Sequence, residues 1–145
     1  MIWKITPYVG VGRLSFGMDR ATVRKTMDAR FDVVHRGEFR AEKDIFFKAG
    51  VHANYDDHDR LYMVEFAHPA EPTLAGVNLL GESANAVKAL LQLMGGDLKE
   101  DDSGAGSLKL GVEIWIPDPD EADQPGGSIV VAGPGYYETA PWRWA

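Results

Sequence analysis

Phe16-Gly17-Met18-Asp19-Arg20-Ala21-Thr22-Val23 is the stretch on which the reading of this chain turns, because its spacing returns further on. Gly12, Gly17, Asp19 and Val23 each stand 64 positions before Gly76, Gly81, Ser83 and Val87. A second set follows in the same order: Lys48, Gly50, Val51 and Asp57 precede Lys109, Gly111, Val112 and Asp118 by 61 positions. Two blocks in register, offset by a short slip, indicate one small unit built twice.

Each block has the same grammar. In the first, Val9–Phe16 reads as a strand closed by Gly17, and Asp19 suits a helix N-cap because its carboxylate accepts first-turn amide hydrogens. The helix is expected to run to Ala29 with Val23 and Met27 buried. Phe31–Arg40 is ambiguous. Asp44–Lys48, Val51–Tyr55 and Leu61–Ala67 are aromatic and branched runs parted by turn-like segments, an antiparallel meander. In the second block Leu74–Leu80 reads as a strand and Ser83 as the cap. Val87, Leu90, Leu91 and Met94 form the apolar stripe of a helix that Gly95-Gly96 ends. Leu98–Gly106 reads as a loop, and Ser107–Leu110, Val112–Ile116 and Ser128–Ala132 as the matching meander. The expected fold class is α+β: one domain over 1–145, made of two tandem pseudo-symmetric units, about 9–67 and 73–132. Each unit is a helix packed on an antiparallel sheet, and 133–145 form a tail holding Tyr136, Tyr137, Trp142 and Trp144.

The chain's 145 residues are enough for a buried core, and 45% apolar with 26% charged residues is ordinary globular composition. It has no cysteine, which excludes disulfides, thiolate metal sites and a cysteine nucleophile. The start lacks a basic segment followed by a long apolar one, and no stretch is long and apolar enough for a membrane span, so a cytoplasmic location and no membrane partner are expected. The net charge is −7, split as +2 over residues 1–64 and −9 over 65–145. An acidic half repels phosphate backbones, so no nucleic-acid partner is expected; it attracts basic surfaces.

The string Phe16–Val23 resembles the Phe-Gly-Met-Thr-x-x-x-Val helix entry of the β-lactamase inhibitory proteins, which the small lipoprotein of the outer-membrane barrel assembly machinery also shares. The resemblance implies a tandem repeat of helix plus antiparallel sheet that binds a target protein on a concave sheet surface. Gly81-Glu82 stands where that entry has Gly-Met, and the disulfide of each repeat in the inhibitors has no counterpart here.

Chemical motifs are sparse. His52, Asp56, Asp57, His58 and Asp59 are the densest set of metal-ligand types, but Asp56–Arg60 lies between two strands, where Asp and His are common turn residues. Asp118–Asp123 fails the calcium-loop pattern, with Asp123 at the sixth position and Ile129 at the twelfth. Gly10, Gly12 and Gly17 lack nucleotide-loop spacing, and no nucleophile elbow is present. No cofactor and no metal site are expected.

Strand alternation points elsewhere. With Val112, Ile114 and Ile116 facing the helix, Glu113 and Trp115 face away; likewise His52 and Asn54 oppose Val51, Ala53 and Tyr55. Met63 and Glu65 join them by the same rule. Tail tryptophans covering Trp115 are the alternative to an open contact surface. Asp118, Asp120 and Asp123, in the long acidic loop Pro117–Gly127, are expected to rim that surface. The expected function is therefore a non-enzymatic protein-binding or inhibitory module, of the toxin-immunity kind, with a basic protein partner. The competing expectation is a small-molecule-binding or metal-dependent hydrolytic domain using the His52–His58 region.

Overall fold

The computed structural model describes residues 1–36, 41–140 and 142. Alternation begins at the first strand: β1 (Ile2–Thr6) buries Trp3 and Ile5 and exposes Ile2, Lys4 and Thr6. Val9–Phe16 is not one strand but a hairpin, β2 (Gly10–Val11) and β3 (Leu14–Ser15), laid against β1. After helix α1 (Arg20–Met27) come β4 (Asp32–Arg36), β5 (Ala41–Phe46), β6 (Val51–Tyr55) and β7 (Leu61–Phe66), each antiparallel to the next. Leu74–Leu80 likewise divides, into the ends of a hairpin of β8 (Glu71–Leu74) and β9 (Val77–Asn78). Helix α2 (Ala84–Gly95) precedes β10 (Lys99–Asp101), β11 (Gly104–Ser107), β12 (Val112–Trp115) and β13 (Ser128–Ala132), and a four-residue helix α3 (Tyr136–Thr139) follows.

These strands form two sheets. One has the order β3-β2-β1-β8-β9, with β1 and β8 parallel. The other runs β10-β11-β12-β13-β7-β6-β5-β4, so the two meanders join edge to edge through β13 and β7. This corrects the expected fold class. Among the described residues the chain is mostly β, 41% strand and 20% helix, with sheets of five and eight strands and three short helices, rather than α+β with a helix on each of two sheets.

Packing explains the difference. On the eight-stranded sheet the row Val112–Val131–Val64–Ala53–Asp44 and the row Ile114–Ile129–Phe66–Val51–Phe46 point to one side. That side receives α2 over β11 and β12, the five-stranded sheet through Trp3 against Phe66 (ring centroids 6.0 Å apart), and α1 over β5. The result is one continuous apolar core. α2 buries Ala84, Val87, Leu91 and Gly95, while Met94, expected inside, is exposed. α1 buries only Val23 and is fastened by charge: Arg24 Nε and Nη2 donate to Asp44 Oδ2 and Oδ1, both at 2.9 Å. Tyr55 also donates to Asp44 Oδ2, at 2.8 Å, and Arg20 lies over the Tyr55 ring. A helix with one buried apolar residue cannot by itself be the cover of a sheet, and the five-stranded sheet takes that role at the centre.

Candidate functional site: the outer face of the eight-stranded sheet

Among the described residues, the opposite face of the large sheet has neither long helix nor second sheet against it. Cross-strand register places Glu113, Val130, Glu65, His52, Ile45 and Asp32 in one row, each directly opposite the next. A neighbouring row holds Ala132, Met63, Asn54, Lys43 and Val34. Trp115 stands two residues beyond Glu113 on the same strand, opposite Ser128. The sheet thus brings six of the sequence-derived site residues to one side: His52, Asn54, Met63, Glu65, Glu113 and Trp115.

Their accessibility divides them. Glu113, Asn54 and Met63 are each only 5% exposed. At the Glu113 end the cause is the C-terminal segment, which turns back after β13: Tyr137 Oη donates to Glu113 Oε2 at 2.6 Å. A run of edge-on rings continues the cover, Tyr62 to Tyr136 at 5.3 Å, Tyr136 to Tyr137 at 5.0 Å, and Tyr137 to Trp142 at 5.1 Å. Trp144 lies outside the described residues. Asn54 Nδ2 donates to the His52 carbonyl at 3.3 Å and contacts Met63 Sδ at 3.5 Å. His52, Glu65 and Trp115 are half-buried, which leaves them within reach of a partner. His52 Nδ1 sits 3.4 Å from Lys43 Nζ and 3.5 Å from Glu65 Oε1, a mixed-charge patch in the middle of the face. Lys43 and Tyr137 belong to this surface, and strand alternation alone did not find them; Lys43 becomes visible only once β5 is paired with β6.

The acidic loop is elsewhere, and its expected place at the rim of this face is corrected. Its carbonyls of Ala122 and Gln124 accept the amides of Asn85 (3.0 Å) and Ala84 (2.8 Å), and Pro125 bridges to Ser83. A helix start leaves its first amides without intrahelical partners, and the loop supplies them, which draws Pro117–Gly127 to the α2 side of the sheet. Asp118 Oδ1 is used inside the loop, accepting the Asp120 amide at 3.0 Å, and Asp118, Asp120 and Asp123 are all exposed.

His52 and His58 do not converge: His52 is on the sheet face and His58 in the β6–β7 turn. Among the described residues, no group of three or more His, Asp or Glu side chains is placed to hold a metal ion. The turn instead borders an open cleft of about 580 Å³ between itself and α3, lined by Tyr62, Asp57, His58 and Glu138 among others. Among the described residues no helix is long and apolar enough to cross a membrane.

Two phenols, one on each side of the large sheet, give the fold an alkaline limit. Burial, with Asp44 beside it, pushes Tyr55 well above the usual phenol range, and burial together with Glu113 does the same to Tyr137. A raised folded-state value means the neutral form is the one the fold favours, so the stabilisation is fully present below the ordinary phenol value of about 10 and is lost as pH rises past it. Chemical denaturation followed from about pH 8 to about pH 11 should show midpoints falling above about pH 10, less steeply in the Tyr55→Phe and Tyr137→Phe variants. Equal slopes in all three proteins would refute this.

Comparison with protein-family models, with curated proteins and with solved structures returned no match.

Proposed function

We propose that this chain is a cytoplasmic, non-enzymatic protein-binding module of the inhibitory or immunity kind, which engages a basic partner on the outer face of its eight-stranded sheet. The observation that supports this reading most is the set of half-buried, mixed-charge and aromatic side chains, His52, Glu65 and Trp115, that share the sheet side away from α1, α2 and the small sheet. Extended sheet faces of this kind present many side chains in one plane with little backbone freedom to lose on binding. The charge of −9 over residues 65–145 favours a basic partner and speeds encounter with it. The resemblance of Phe16–Val23 to the inhibitor helix entry favours the inhibitory kind.

Trp115 is the anchor in this account. Trp115→Ala should weaken the partner complex by about 2 kcal/mol, the range of a buried aromatic hot spot. The test is affinity capture from lysate of the source cells with the wild-type chain, Trp115→Ala and Glu65→Lys side by side. A partner held by the wild type and lost from both variants, with unfolding midpoints unchanged, is the expected result. A partner retained equally by all three would place the contact surface elsewhere.

A further inference from the structure

The two edges of the eight-stranded sheet differ in a way that makes them complementary. Among the described residues, β4 has β5 on one side and no strand on the other, and β10 has β11 and no strand on its other side. Each outer edge therefore offers backbone N–H and C=O groups for strand pairing.

The β4 edge is apolar and locally basic. Val33 is 41% exposed, and beside the strand a groove of about 400 Å³ is lined by Arg30, Phe31, Asp32, Phe47 and Lys48, with Phe47 60% exposed. Arg30 and Lys48 are exposed and have no ion-pair partner among the described residues. The β10 edge is acidic: Lys99, Glu100 and Asp101 form the strand and Asp102 follows it. Glu100 pairs with Lys88 at 3.0 Å, while Asp102 is exposed and has no ion pair among the described residues.

We propose that copies of this chain associate head to tail, the β10 edge of one copy adding to the β4 edge of the next, with Arg30 and Lys48 meeting Glu100 and Asp102. The contact is heterologous, so it does not close on itself at two copies and grows with concentration. Pairing over three to five residues a side covers less than the roughly 1,200 Å² of a stable complex, which makes the association weak and salt-sensitive. The outer sheet face plays no part, so this inference stands or falls apart from the proposed function.

Sedimentation velocity of the full chain from micromolar to millimolar concentration tests it, at low and at high salt. The expected result is a sedimentation coefficient that rises with concentration and falls back with salt. Arg30→Glu with Lys48→Glu in one variant, and Glu100→Lys with Asp102→Lys in another, should each weaken self-association about tenfold, because two attractive contacts become repulsive. All four positions are on the surface, and circular dichroism confirms that both variants fold. In an equal mixture both kinds of mixed contact carry opposite charge, the unaltered β10 edge of the first variant against the unaltered β4 edge of the second and the two reversed edges against each other, so association of one variant with the other should recover. A monomer throughout the concentration range, association unaltered by either charge reversal, or no recovery on mixing would each overturn the proposal.

Discussion

Asp44→Ala should lower the stability of this protein by about 3 kcal/mol, because it removes a buried acceptor shared by Arg24 of α1 and Tyr55 of β6. Asp44 is fully buried, holds Arg24 through two hydrogen bonds and accepts a third from the Tyr55 hydroxyl. Deleting one member of a buried pair costs about 3–5 kcal/mol when the other is left stranded. The lower end applies here because the Arg24 side chain is 31% exposed and regains water. The Tyr55 hydroxyl, buried on β6, has no such recourse. Asp44→Asn keeps the shape and an acceptor for Tyr55 but removes the charge, and should cost about half as much. Urea denaturation midpoints of the three proteins measure this. Two variants within about 0.5 kcal/mol of the wild type would mean that α1 is held by something other than this network.

Gly50→Ala is expected to be nearly as damaging, at about 3 kcal/mol, for a purely steric reason. Gly50 closes the β5–β6 turn at φ +70°, and a Cβ there would stand 2.2 Å from the Ala67 carbonyl oxygen. Neither side can yield easily: the Gly50 amide donates to the Phe46 carbonyl, and the Gly50 carbonyl accepts the Ala67 amide at 2.9 Å. Left-handed backbone costs a residue with a Cβ about 1–2 kcal/mol, and an unrelieved clash adds about 1–3. Gly17→Ala is the control, since Gly17 has φ +94° but nothing within 4 Å of the added atom, so it should cost only about 1 kcal/mol. Equal losses at the two positions would show that backbone strain alone, not the approach of Ala67, governs Gly50.

Gly50 also shows what a sequence can reveal. Its counterpart Gly111 adopts φ +68°, and the Ala132 amide donates to the Gly111 carbonyl as Ala67 does to that of Gly50. One turn geometry is built twice, and its glycines carry the mark. Period-two alternation was equally legible, because in a strand the side of the sheet follows from parity alone: Ile114 points to the core and Trp115 away from it. The class of fold was not. Trp3 and Ile5 lie before the repeated blocks, and nothing local says that their strand will run parallel to β8 and form a second sheet. The weight on α1 was hidden for a similar reason. Val23 and Met27 have helical apolar spacing, yet the contact that fixes the helix is made by Arg24 to a carboxylate 20 residues away. The acidic loop was misplaced because what holds it is backbone: the carbonyls of Ala122 and Gln124 cap α2, and a carbonyl has no letter in the sequence. At the candidate site, parity identified which side chains share a face, while their cover by Tyr137 depended on where a four-residue helix comes to rest.

If the outer sheet face is the contact surface, amide hydrogen exchange of the chain alone and with its captured partner will register it strand by strand. The expected result is added protection along β6, β7 and β12, centred on His52, Glu65 and Trp115, with α1 and α2 unchanged. Added protection confined to the helices and the loop Pro117–Gly127, with the strands around Trp115 exchanging as in the free protein, would contradict it.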